Sequence, residues 1–232
     1  MANPILCYRD FLCMLCMYCV MTGAPMAGSR DTIQLPEPVH EADRPLEELL
    51  RQRRSVRDYQ AAALQLSDIG QLLWAAQGIT HPAGLRTAPS AGALYPLEVY
   101  LVAGAVNGLA AGVYHYQANG HRLTRLQDGD RRIVLAQAAH GQDWVRDAAA
   151  VVVFAAVYQR TTRKYGERGV RYVHIETGHA AQNLFLQAQA LGLASVVVGA
   201  FGDDAVARVL QLPADVQPLV LMPVGPAGPA AR

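Results

Sequence analysis

The segment RTAPSAGALYPLEVYLV, residues 86–102, joins a loop of small residues directly to a strand with strong β preference. Thr87, Ser90 and Gly92 are separated by residues with little side-chain bulk, so backbone N–H groups and a hydroxyl can lie flat against a large planar ligand. Tyr95-Pro96 fixes the direction in which the chain leaves the loop. The alternative for so short a pattern is an ordinary Gly/Ala turn before a strand.

A dense run of cations, RQRR at 51–54 followed by Ser55 and Arg57, stands at the end of the first predicted helix. Guanidinium groups form paired, charge-assisted hydrogen bonds with phosphate, and a serine hydroxyl adds a further donor. Arg53, Arg54 and Arg57 are therefore candidate phosphate ligands. The alternative is a solvated helix end, where cations meet the negative pole of the helix dipole.

Four stretches of the chain together resemble one family. They are RRSVRDY at 53–59, APSAGALYPLEVY at 88–100, GHAAQNLFLQAQALGL at 178–193 and VVVGAF at 196–201. Their sequences, order and spacing, over about residues 45–225, resemble the SagB-type branch of the nitroreductase-like FMN flavoproteins. The resemblance implies an α+β fold with a central, mainly antiparallel sheet flanked by helices, an intertwined homodimer, and FMN bound at the dimer interface.

The resemblance also implies a role for each matching position. It assigns Arg53, Ser55 and Arg57, and next to them Arg54, to the FMN phosphate, and Ser90, Ala91, Gly92 and Leu94 to the flavin ring. Gln182 and Asn183 on the long helix match polar flavin or interface contacts; the alternative is that they cap a polar seam inside a dimer. The backbone at Gly199 and Ala200 matches the part of the family fold that approaches the ring.

Lys164-Tyr165 is the candidate catalytic pair. It resembles the Lys-Tyr pair of the family's azoline oxidases, which is placed to manage a proton while FMN takes the hydride. Oxidation of a C–H bond next to a heteroatom needs both a base and a hydride acceptor. The alternative is a solvated basic loop, because the surrounding segment 159–169, QRTTRKYGERG, is rich in cations and is predicted to be a loop.

Other chemistries are poorly supported by the sequence. His174 and His179 are five residues apart, which places them about 140° apart around a helix, so metal binding is not expected. The chain has neither a GxSxG motif nor a GxGxxG motif after a strand, which argues against a serine hydrolase and a Rossmann domain. Family members often carry a cation after the last strand, and here only Arg232 could supply it.

The composition is that of a protein with one sizeable core. The 232 residues are 52% hydrophobic and carry a net charge of +1, so a nucleic-acid partner is not expected. The four cysteines lie within the first nineteen residues, in a segment with an apolar run at 11–21 that is too short to span a membrane. Residues 1–28 are predicted to be a possible leader segment. If this leader is functional, the protein is expected to be exported; otherwise it is expected to be cytoplasmic.

Periodicity and turn signals predict the order of elements. Residues 29–45 read as a connector, and 46–232 as a single nitroreductase-like FMN-binding domain. Helices are expected from Pro45, from Ser67 to Gly78, and over 130–139, 172–191 and 203–210; strands are expected at 97–103, on both sides of Asn119-Gly120, and at 148–158, 195–200 and 218–225. Because strands and helices do not alternate regularly, an α+β fold is expected.

The functional hypothesis is an FMN-dependent oxidoreductase that transfers hydride between flavin N5 and a small or peptide-derived substrate, as in SagB-type dehydrogenases. An NAD(P)H-dependent reductase of nitro or quinone compounds is one alternative. A flavin-binding protein without enzymatic activity is the other.

Overall fold

The computed structural model describes residues 31–41 and 43–228 of the chain. The predicted leader at 1–28 with its cysteines, and Arg232, the cation that follows the last predicted strand, lie outside the described residues.

The described elements follow the predicted α+β pattern, which is confirmed. In chain order they are β1 (Thr32–Gln34), α1 (Leu46–Gln52), β2 (Leu64–Gln65), α2 (Leu66–Gln77), a 3-10 turn (Ala91–Ala93), β3 (Leu97–Ala103), β4 (Val106–Asn107), β5 (Gly112–Gln117), β6 (Arg122–Asp128), α3 (Arg132–Ala138), α4 (Asp143–Asp147), β7 (Ala150–Ala156), α5 (Gln159–Tyr165), α6 (Arg168–Ala190), β8 (Leu193–Ser195), α7 (Asp203–Leu210) and β9 (Gln217–Pro226).

Seven strands form one sheet in the order β1-β6-β5-β3-β7-β9-β8, and every neighbouring pair in it is antiparallel. Strand β7, with the sequence AVVVFAA, is buried along its whole length between β3 and β9. Successive side chains of a strand point to opposite faces, so an unbroken apolar run requires a core on both sides of the sheet.

Helices supply those two cores. Phe154 and the β7 residues that share its face pack in a cluster with Leu72 of α2 and Leu184 of α6. Val153 and its neighbours on the other face pack in a second cluster with residues of α3, α4 and α7, including Leu210. The sheet therefore lies between two helical layers, and α6 crosses the face on which the candidate site is built.

The prediction of a loop over residues 159–169 is wrong. Residues 159–165 form helix α5, because Gln, Arg and Lys are good helix formers even in a strongly charged stretch. Gly166, at φ 57°, ends the helix, and α6 begins at Arg168 rather than at Tyr172. An ideal Cβ on Gly169 would lie 2.9 Å from Thr162 Cα, so a glycine is needed where the two helices meet.

Two further expectations need correction. The strand predicted at 195–200 ends at Ser195, and beyond it Val198 forms an isolated bridge to Leu221. Part of the connector predicted at 29–45 belongs to the sheet, since Thr32–Gln34 pairs with β6. None of the helices in the described ranges is long and apolar enough to cross a membrane.

Candidate functional site

The loop from Ser90 to Tyr95 carries three residues with positive φ: Gly92 at 65°, Ala93 at 53° and Tyr95 at 45°. Such conformations are costly for residues with a Cβ and persist only where surrounding contacts fix them. The Tyr95 N–H donates to Ser90 Oγ at 2.9 Å, and Arg160 Nη1 donates to the Tyr95 carbonyl oxygen at 3.0 Å. The Arg86 guanidinium lies 4.6 Å from the centroid of the Tyr95 ring.

The structure brings the candidate catalytic pair to this loop. An ideal Cβ on Gly92 would lie 2.7 Å from Tyr165 Oη and 2.9 Å from Lys164 Nζ. Only a residue without a side chain allows this approach in the observed arrangement. Lys164 Nζ lies 5.3 Å from the centroid of the Tyr165 ring, which in turn meets Tyr172 edge-on at 5.1 Å. Helix α5 therefore places both side chains against the small-residue loop.

A buried polar cluster lies beneath the same loop, and the sequence reasoning missed it. Glu176 of α6 is 2% exposed, and its Oε1 has no hydrogen-bond partner among the described residues. Burial raises the pKa of Glu176 to about 7, while Ser90, Arg86 and Gln77 act in the opposite direction. Arg86 Nη1 donates to Gln77 Oε1 at 2.8 Å. In the sequence, the HIETGH segment draws attention only as a possible set of metal ligands. The burial of Glu176 beside Ser90 and Arg86 is therefore not expected from it.

The predicted phosphate ligands lie at another point of the fold. The Val56 N–H donates to the Ser195 carbonyl oxygen at 2.9 Å, which fixes the segment around Ser55 beside the end of β8. The Arg53 guanidinium lies 5.1 Å from the centroid of the Phe185 ring, and that of Arg57 lies 5.3 Å from Trp144.

The charges of these arginines are available to an anion. Among the described residues, no carboxylate forms an ion pair with Arg53, Arg54 or Arg57. Arg54 Nη1 donates to two backbone carbonyl oxygens, of Arg51 and Arg53. Ser55 and Arg57 are exposed. Unpaired, accessible guanidinium groups are suited to bind a phosphate.

The polar pair on α6 divides between two environments. Asn183 Nδ2 donates to the Thr87 carbonyl oxygen at 3.3 Å, at the start of the small-residue segment. Gln182 is exposed and lines a cavity of about 390 Å³ with Phe185 and Val197. Of the predicted backbone contacts, Gly199 is exposed with open space where a Cβ would lie, and the Ala200 carbonyl oxygen accepts a hydrogen bond from Gln142.

The site residues thus form two groups along α6. The small-residue loop and Lys164-Tyr165 lie near Glu176, whereas Arg53 lies near Phe185 and Arg57 lies over Trp144 of α4. Glu176 and Phe185 are nine residues apart, about 14 Å along the helix axis. Ala91 and Leu94 belong to the first group, as part of the loop itself.

His174 and His179 lie in different environments. His174 Nε2 and Tyr158 Oη are hydrogen-bonded at 2.6 Å, and His179 is exposed. In the described part of the chain, no group of three or more His, Cys, Asp or Glu residues is placed to hold a metal ion.

Comparisons with known proteins identify the family of the chain. Residues 50–226 match the model of the nitroreductase family. A nitroreductase-type protein of Methanocaldococcus jannaschii is 46% identical over 198 residues, which are 85% of this chain and 98% of that protein. The crystal structure of a nitroreductase-type protein of Anabaena variabilis matches with a TM-score of 0.71 and 31% identity, over 79% of this chain and 38% of that one.

The microcin B17-processing protein McbC of Escherichia coli is 28% identical over 155 residues, which are 64% of this chain and 57% of McbC. This chain thus spans only part of McbC and of the Anabaena protein. The chain belongs to the nitroreductase family, whose members are flavin oxidoreductases.

Proposed function

We propose that the protein is an FMN-dependent oxidoreductase of the SagB type, which oxidises a small or peptide-derived substrate. One observation carries most of the weight: Lys164 Nζ and Tyr165 Oη lie directly against Gly92. Two segments more than seventy residues apart in sequence, one suited to a flat ring and one to proton transfer, are thereby joined in one site. The microcin-processing relative supports a peptide-derived substrate.

The residues present fit FMN. Arg53, Arg54 and Arg57 would hold the phosphate with Ser55, because they are free of carboxylate partners among the described residues. The loop at 90–94 would lie along the ring, since Gly92 and its neighbours leave the backbone accessible. Gln182, Asn183, Gly199 and Ala200 would complete the contacts. FMN, when bound, supplies a hydride acceptor at its N5 atom.

Lys164 and Tyr165 would handle the substrate proton. Lys164 is exposed at the last turn of α5, so its ammonium or amine group can reach a ligand above the loop. Tyr165 is half-buried and offers its hydroxyl group, while its ring contacts the ring of Tyr172 edge-on. A positioned base of this kind speeds proton transfer by about 10²- to 10⁴-fold.

We also propose a homodimer in which both chains contribute to each FMN site. In this dimer each flavin would take its phosphate and ring contacts from different chains. Along α6, an exposed stripe runs through Val170, His174, Gly178 and Gln182, with Ile175 beside it at 48% exposure. Obligate dimer interfaces bury more than about 2,000 Å² and are apolar at their centre.

The purified protein should therefore elute as a yellow species of about twice the 25.0 kDa chain mass in size-exclusion chromatography with light scattering. Ile175→Glu beside the stripe should shift the protein toward the monomer and lower its flavin content. Ile133→Glu on α3, where Ile133 is 58% exposed, is the matched control and should leave both unchanged. A monomer that still carries stoichiometric flavin would contradict the shared site.

An NAD(P)H-dependent nitro or quinone reductase is the second candidate. It is favoured by the 46% identity to the nitroreductase-type protein of Methanocaldococcus jannaschii, which covers nearly all of that protein. The two candidates share the cofactor and differ in the hydride donor.

A further inference from the structure

Tyr95 is held from three sides. Its N–H donates to Ser90 Oγ, its carbonyl oxygen accepts from Arg160, and its ring lies under the Arg86 guanidinium. Both Tyr95 and Ala93 have positive φ, so the loop would relax to another conformation if these contacts were lost.

Two of the three residues that hold Tyr95, Ser90 and Arg86, also interact with Glu176. The Ser90 hydroxyl oxygen already accepts the Tyr95 N–H, and its own proton remains for an acceptor such as the facing Glu176 carboxyl. Arg86 lies in the field of the same carboxyl. Glu176 is buried, with Oε1 unpartnered among the described residues, so the cost of its charge is offset mainly by these neighbours.

We propose that Glu176 is a positioning residue for the Ser90–Tyr95 loop, which it holds through Ser90 and Arg86, and that its charge couples flavin binding to pH. The coupling to flavin rests on the proposed function, in which the loop lies along the FMN ring. The effect on the loop itself does not.

The direction of the pH dependence follows from the neighbouring groups. Arg86 is the charged side chain that acts on Glu176, whereas Gln77 of α2 and Ser90 are neutral. Glu98 of β3 and Arg160 of α5 act on Arg86 in turn. An ionised Glu176 accepts a hydrogen bond from the Ser90 hydroxyl and attracts Arg86, and a protonated Glu176 loses the charge that attracts Arg86. The loop is therefore best held, and FMN most tightly bound, above the Glu176 pKa of about 7.

Glu176→Gln keeps the shape of the side chain and removes its titration. We expect wild type to bind FMN roughly 10-fold more tightly than the variant at about pH 8.5. The dissociation constants of the two proteins should become equal at about pH 6. The FMN phosphate also titrates in this range, but it contributes equally to every variant, so the difference between the profiles reports on Glu176. Glu167→Gln, at an exposed position just before α6, is the matched control and should follow wild type.

Hydrogen exchange of the FMN-free protein separates the two levels of the inference. At about pH 8.5, Glu176→Gln should speed exchange of the amides in the 90–95 loop relative to wild type and Glu167→Gln, while the amides of β7 stay equally protected in all three. Faster loop exchange in Glu176→Gln, with no FMN uptake by wild type or either variant, would uphold the positioning role and overturn the proposal that the protein binds FMN. Equal loop exchange together with parallel FMN profiles would overturn the positioning role and leave the proposed function intact.

Discussion

Lys164→Ala is expected to lower the rate of substrate oxidation by about 10²- to 10⁴-fold, the usual contribution of a positioned base. The base acts on the substrate, so the absorption spectrum of bound FMN should not change. A synthetic thiazoline-containing peptide is a suitable probe, because its oxidation to the thiazole removes two hydrogen atoms and is followed by mass spectrometry.

Arg163→Ala is the matched control, since Arg163 is an exposed cation on the same helix, directly before Lys164. It should retain the wild-type rate. Tyr165→Phe separates the hydroxyl from the ring and should lower the rate while the edge contact with Tyr172 persists. Turnover retained in Lys164→Ala would show that the Lys-Tyr pair is a solvated basic segment beside the loop.

Arg57→Ala is expected to raise the FMN dissociation constant by roughly 10- to 100-fold, the effect of losing a charge-assisted hydrogen bond of about 1.5–3 kcal/mol. Because the proposed contact is with the phosphate, the affinity for riboflavin, which has none, should change little. Fluorescence titration with both flavins measures the two constants.

Arg168→Ala provides the comparison, as Arg168 is an exposed cation at the start of α6. It should alter neither constant. The Arg57 guanidinium also lies over Trp144, and loss of that contact would weaken FMN and riboflavin alike. Equal effects of Arg57→Ala and Arg168→Ala on FMN would place the phosphate elsewhere.

Local signals predict most of the framework. The Asn119-Gly120 pair predicts the β5–β6 hairpin, because tight hairpin turns need positive φ and glycine adopts it without strain. In the structure, Gly120 has φ 81°. The unbroken apolar run of β7 predicts a central strand buried on both faces. Helix α5 was not predicted because its positions are mostly polar, and its one buried residue, Thr161, gives no apolar periodicity.

The candidate site is only partly visible in the sequence. Motif resemblance selects Ser90, Gly92 and Lys164-Tyr165 separately, but their contact depends on how α5 packs against α6 and the loop, which no local pattern encodes. Glu176 is missed for a related reason. On a helix a glutamate reads as a solvated residue, and only the fold shows that it is buried beneath Ser90.

Anaerobic mixing of the FMN-loaded protein with NADH, with NADPH and with the thiazoline-containing peptide, in separate experiments, tests the proposed function most directly. The expected result is loss of the oxidised flavin absorbance with the peptide and none with either nicotinamide. Rapid bleaching by NADH or NADPH without bleaching by the peptide would contradict the proposed dehydrogenase and identify a reductase.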